Sequence, residues 1–241
     1  MKATKFARGL SFALGLAMFA GSVLAAQPAQ GGNPNPGIIP LNAHFHGKTY
    51  GEWLAELHKW VFRVPAADSP VFEGNEGKIA NGQPKHVWFL SNAVPVTTRH
   101  FTVPAGTALY ATMFSVAWDN QICVDPDSNY SVDELRGFAK SIVDWFQDIE
   151  MQVDGIPVEN AAAYRAISPV FDLTTVEQIC EAAPGTYGPV VADGYGLLLA
   201  PLSVGVHTIH LAAKVVPDPS DPSQNVDVDI MWYITVTPQK K

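Results

Sequence analysis

Residues 226–237 read Val-Asp-Val-Asp-Ile-Met-Trp-Tyr-Ile-Thr-Val-Thr, and this stretch decides the fold class. Val226, Val228, Ile230, Trp232, Ile234 and Val236 alternate with Asp227, Asp229, Met231, Tyr233, Thr235 and Thr237. Successive strand side chains point to opposite faces, so a period of two marks a strand with one buried face.

Working upstream, residues 217–224 (PDPSDPSQ) form a polar, proline-rich loop. Residues 206–216 and 195–202 are strand-like, with Ser203-Val204-Gly205 turning between them. Shorter apolar runs lie at 190–192 and 170–173, and Asp154-Gly155 between apolar flanks signals a hairpin. Residues 107–118 (TALYATMFSVAW) are almost continuously apolar, which predicts a central strand buried on both faces. Before them come the Pro104-Ala105-Gly106 turn, a β-branched stretch at 96–103 and the run HVWFL at 86–90.

Two helices interrupt this series. Thr49 with Glu52 makes a capping box, and Trp53, Leu54, Leu57, Trp60 and Val61 share one face, predicting a helix over 49–62 ended by Pro65. Ser131 with Glu134 repeats the signal. Leu135, Phe138, Ile142, Trp145, Phe146 and Ile149 extend a second helix over 132–150. Short strands with polar turns and only two amphipathic helices predict a mainly β chain, a β-sandwich of immunoglobulin-like or jelly-roll-like type with the helices packed on it.

The closing run PLSVGVHTIHLAAKV, followed by IMWYITVTP, resembles the last strands of immunoglobulin-like extracellular modules. The Trp-rich first helix, VWFL, the VPAG turn, VDGIPV and GYGLLLAPLSVGVHTI are similar to a group of secreted bacterial β-sandwich proteins of uncharacterised activity. The likeness spans about residues 49–237. It implies a fold and carries no site residues.

Lys2, Lys5 and Arg8 precede an apolar stretch at 10–24, and Val23-Leu24-Ala25 suits a signal peptidase. Residues 1–25 are therefore expected to be a signal peptide, with cleavage after Ala25 or, alternatively, Ala26. Residues 26–46 are expected to be a flexible leader, and 47–241 a single domain. No cysteine adjoins the cut, so lipid anchoring is not expected, and the apolar stretch is shorter than a spanning helix. The expected location is secreted or periplasmic, without membrane insertion after signal removal.

The chain carries 15 basic and 23 acidic residues; without the three basic residues of the signal, 12 face 23, a net of −11. That field repels phosphate backbones and anionic lipid, which disfavours nucleic-acid and membrane-surface partners. Cys123 and Cys180 are the two cysteines, and in an oxidising compartment the pair reads as one disulfide. Closing that loop is worth roughly 4 kcal/mol in the chain-entropy model.

No G-x-S-x-G elbow, P-loop, dinucleotide fingerprint or H-E-x-x-H helix occurs. Asp119 closes the long apolar strand, and Arg99 and His100 lie mid-strand on opposite faces. If Asp119 met either one across the sheet, the pair could serve acid–base chemistry; the plainer reading is a loop carboxylate. Asp125, Asp127 and Asn129 place oxygen side chains at alternate positions, as a calcium loop begins. Tyr130 and Arg136 stand where that loop wants glycine and glutamate, so a turn into the helix competes. His44 and His46, two apart, could share a metal but lack a third ligand. His207 and His210, three apart in a strand, point to opposite faces, His207 with Ile209 and Leu211.

The sequence thus predicts an exported, non-catalytic binding or surface-interaction module for an extracellular or periplasmic ligand. The alternative is an extracellular hydrolase with a carboxylate–histidine site; no cofactor is expected, with calcium on Asp125, Asp127 and Asn129 as the alternative.

Overall fold

A computed structural model describes residues 33–35, 37–91, 98–125 and 127–239, and residues 33–241 form one compact unit. The expected signal peptide lies outside the described residues. No helix among the described residues is long and apolar enough to cross a membrane.

The elements in chain order are α1 (Tyr50–Arg63), β1 (Val87–Leu90), β2 (Thr98–Pro104), β3 (Ala108–Trp118), α2 (Val132–Val143), β4 (Phe146–Val153), β5 (Ile156–Pro157), β6 (Arg165–Ile167), β7 (Phe171–Thr175), β8 (Gly185–Leu199), β9 (Gly205–Val215) and β10 (Val226–Thr237). They build two mixed sheets in a sandwich-like arrangement. One sheet runs β1-β3-β8-β6, with β7 also on β8; the other runs β2-β10-β9-β4-β5.

The predicted alternation of β10 is realised: Ile230, Trp232, Ile234 and Val236 are buried while Asp229, Tyr233 and Thr235 are exposed. Its inward side chains join those of β9 (Ile209, Leu211) and of the other sheet (Leu197, Leu199) in one core. Phe114 of β3 stacks on Phe146 of β4 at 4.1 Å, tying sheet to sheet. Both helices lie against the first sheet, α1 on β6, β7 and β8 and α2 on β3 and β8. That cover explains why β3 and β8 are apolar almost throughout. Both predicted capping boxes are present, at Thr49–Glu52 and Ser131–Glu134.

Three expectations are corrected. The second helix stops at Val143, with Asp144 as its C-cap, so 132–150 is not one helix. Phe146 and Ile149, read as helix stripe, belong to β4, where Phe146 pairs with Val215 and the Trp145 carbonyl accepts the Val216 N–H at 2.8 Å. Tertiary pairing with β9 overrides the local helical period. Second, the two runs at 190–192 and 195–202 are one strand, β8, ending at Leu199. Gly194 lies between the two runs, and a Cβ there would come 2.4 Å from Ser115, so only glycine lets β3 approach so closely next to its bulge. Third, the leader expected over 26–46 is docked from Asn33 onward. The Ile39 N–H donates to the Leu198 carbonyl at 2.8 Å, the Ala200 N–H to that of Gly37 at 2.9 Å, and Ile38 is buried. Ile39 and Phe45 pack on the core beside Ile38, and the buried Asn35 amide donates to the Glu159 carbonyl and the Tyr164 hydroxyl, so the segment is held at several points.

Cys123 and Cys180 form the expected disulfide, with Cα atoms 5.2 Å apart across 57 residues of sequence. It ties the loop after β3 to the loop between β7 and β8.

Candidate functional site

The residues singled out as an acid–base site do not meet. Arg99, 1 % exposed, points inward from β2 and is spent on one neighbouring segment. Its Nη1 donates to the Val71 carbonyl at 3.0 Å, its Nη2 to those of Pro70 at 2.6 Å and Phe72 at 3.0 Å, and its Nε pairs with Glu76 at 2.6 Å. His100 points to solvent and stacks on Tyr233 of β10, ring centroids 4.8 Å apart. Asp119 follows β3 in the other sheet, where its Oδ1 accepts the N–H groups of Gln121 at 2.6 Å and Ile122 at 2.7 Å. It shapes the turn that delivers Cys123.

The calcium-like segment is a turn. The Asp125 side chain accepts the Asp127 N–H at 3.0 Å, its carbonyl accepts the Ser128 N–H at 2.9 Å, and Asn129 follows on the way to the Ser131 cap. His44 is exposed in a tight turn, and His46 stacks on His86 at 4.9 Å. Among the described residues, no three His, Cys, Asp or Glu side chains gather as metal ligands would.

A different carboxylate–histidine pair is built at the other end of β9. The Asp154-Gly155 hairpin joins β4 to β5, both residues at positive φ (52° and 75°), as a two-residue primed turn requires. Asp154 continues the β4–β9 ladder, its N–H donating to the Thr208 carbonyl at 2.9 Å and its Oδ1 accepting the Thr208 N–H at 2.8 Å. Its Oδ2 therefore faces the first inward side chain of β9, His207, whose Nδ1 lies 2.7 Å away. The opposite ring nitrogen, Nε2, reaches Ser203 in the β8–β9 loop, 3.2 Å from its Oγ and 3.0 Å from its carbonyl oxygen. Burial pulls the His207 pKa down, but the Asp154 carboxylate and the Ser203 carbonyl outweigh it and hold the pKa above its ordinary value. His210, on the outer face as expected, pairs instead with Asp229 at 3.0 Å.

Beside Asp154 opens a cleft of about 270 Å³ walled by Ile38, Val153, Ile156, Val158, Leu199 and Leu202; Ser203 and His207 lie outside its lining. Asp154 forms part of its wall, and Leu202 immediately precedes Ser203. The one available signal was in the face assignment. His207 falls in the inward column of β9 with Ile209 and Leu211, and an imidazole at the open end of a core column needs a polar partner. Its partner is 53 residues earlier in sequence, so no local pattern could name it.

No protein-family model matches the sequence, and no curated protein matches it. Among solved structures, the chain is similar to the cysteine protease inhibitor EhICP2 from Entamoeba histolytica, at 8 % identity. That match covers 63 % of this chain and 95 % of the inhibitor, with a TM-score of 0.21. A likeness at that score carries no argument about function.

Proposed function

We propose that the chain is an exported β-sandwich module, secreted or periplasmic, that binds a small apolar ligand in the cleft beside Asp154. The carrying observation is that apolar walls from three separate stretches, Pro34 with Ile38, the β4–β5 hairpin, and Leu199 with Leu202, converge on one cleft. Its volume of about 270 Å³ corresponds to about nine water-sized groups, which suits a small molecule rather than a protein surface. Arg99, His100 and Asp119 are occupied by separate structural contacts, which favours binding over turnover at those residues. The disulfide and the basic, apolar N-terminal sequence support export. The acidic balance after removal of residues 1–25 disfavours nucleic acid and anionic lipid as partners.

A thermal melt with 1-octanol tests the site, because a ligand that binds only the folded state raises the midpoint. The expected result is a rise for the wild-type chain that disappears in Leu202→Trp, whose indole fills the cleft. No shift, or an equal shift in both proteins, overturns the reading. For export, the mature protein recovered from a secreting host should begin at Ala26 or Gln27.

A further inference from the structure

We infer that Ser203, His207 and Asp154 form an acyl-transfer site that hydrolyses small apolar esters. This goes beyond binding and rests on the cleft reading only for its substrate seat.

The ordering of the three side chains carries the inference. Asp154 is fixed by the Thr208 N–H on Oδ1, at 2.8 Å, and presents Oδ2 to His207 Nδ1 at 2.7 Å. This holds the ring hydrogen on Nδ1 and turns Nε2 toward Ser203, the orientation a serine base requires. Nε2 then has two partners on one residue, the carbonyl at 3.0 Å and the hydroxyl at 3.2 Å. A cationic ring donates to the carbonyl. A neutral ring exposes a lone pair that accepts the Oγ–H, and this is the active form. A simple loop latch needs the carbonyl contact alone. It needs no hydroxyl on the same nitrogen, and no carboxylate that both orients the ring and walls an apolar cleft.

The chemistry balances with water as the co-substrate. Ser203 Oγ attacks the ester carbonyl carbon while its proton passes to Nε2. The carbon–oxygen bond to the alcohol breaks, and the Nε2 proton leaves with the alkoxide. Water then attacks the acyl group, giving a proton to Nε2 and the acyl carbon its hydroxyl. The acid departs as Oγ recovers the proton. The cleft seats the acyl chain.

A fluorophosphonate probe with peptide mapping tests the wild-type chain directly, without relying on a variant to fold. The expected result is an adduct on Ser203. Turnover of p-nitrophenyl butyrate should fall at least about 100-fold in Ser203→Ala. It should also rise with pH as the imidazole loses its proton, above the ordinary value of about 6.5. No adduct, an adduct on another residue, or retained turnover in Ser203→Ala overturns the inference. A 1-octanol shift without an adduct sinks the activity and leaves the binding reading intact; absence of both sinks both.

Discussion

In β8, Leu197, Leu198 and Leu199 are all buried although neighbours point to opposite faces; in β10, Ile234 is buried and Thr235 is exposed. The first pattern belongs to the sheet that carries both helices, the second to the sheet whose outer face meets water. One chain thus contains both ways of burying a strand. A helix-covered sheet loses its alternation because both faces are core, and a half-solvated sheet keeps it. Only the second kind announces its register in sequence.

The contrast can be broken or sharpened by experiment. The largest effect is expected from Cys123→Ser with Cys180→Ser, which frees two loops that both flank the covered sheet. Denaturant unfolding should show a loss of about 4 kcal/mol. A loss below about 1 kcal/mol would mean that sheet is held by its packing alone. Adjacent alanine substitutions come next. Leu197→Ala and Leu198→Ala should each cost about 3 kcal/mol, whereas Ile234→Ala should cost that much and Thr235→Ala only about 0.5 kcal/mol. A cheap Leu198→Ala would show that one face of β8 is not core.

The last comparison is between histidines, and its two arms have opposite signs. His58 lies buried in α1 over the covered sheet, and burial pushes its pKa down to about 4. The unfolded chain takes up that proton first. Stability is therefore full above about pH 6.5, falls as pH drops toward about 4, and levels off once the folded state is protonated. The loss is on the order of 3 kcal/mol, and His58→Leu should flatten it. His207 favours its charged form in the folded state. Its contribution is present below the ordinary histidine value and fades as pH rises through its raised pKa, a slope that His207→Gln should remove. Matching slopes in the two variants would collapse the distinction.

Local physics carried much of the fold. The alternation of β10, the apolar run of β3, both capping boxes, the Asp154-Gly155 turn and the cysteine pair are each short-range signals, and each is present. Long-range contacts decided the rest. Phe146 continues a helical stripe perfectly well; only pairing with Val215 makes it strand. Ile38 sits in a glycine- and proline-rich stretch, and only the end of β8 gives it a place to bury. The candidate site was the least legible part. Arg99 and Asp119 satisfied a plausible chemical pattern, yet each is bound to a different segment of the chain. Asp154 and His207 had ordinary local explanations, as a turn residue and a strand residue, and meet only because β4 pairs with β9.

The position of β10 has a consequence for the order in which the molecule can assemble. It lies between β2 and β9, aligned with Thr98–Pro104 on one side and Gly205–Val215 on the other. A chain that emerges N-terminus first presents β2 more than a hundred residues before its partner exists. Until residues 226–237 arrive, half of that sheet waits as open edges, and closing it over so long a separation is slow. That sheet therefore closes only when residues 226–237 dock between β2 and β9, and its two halves stay apart until then.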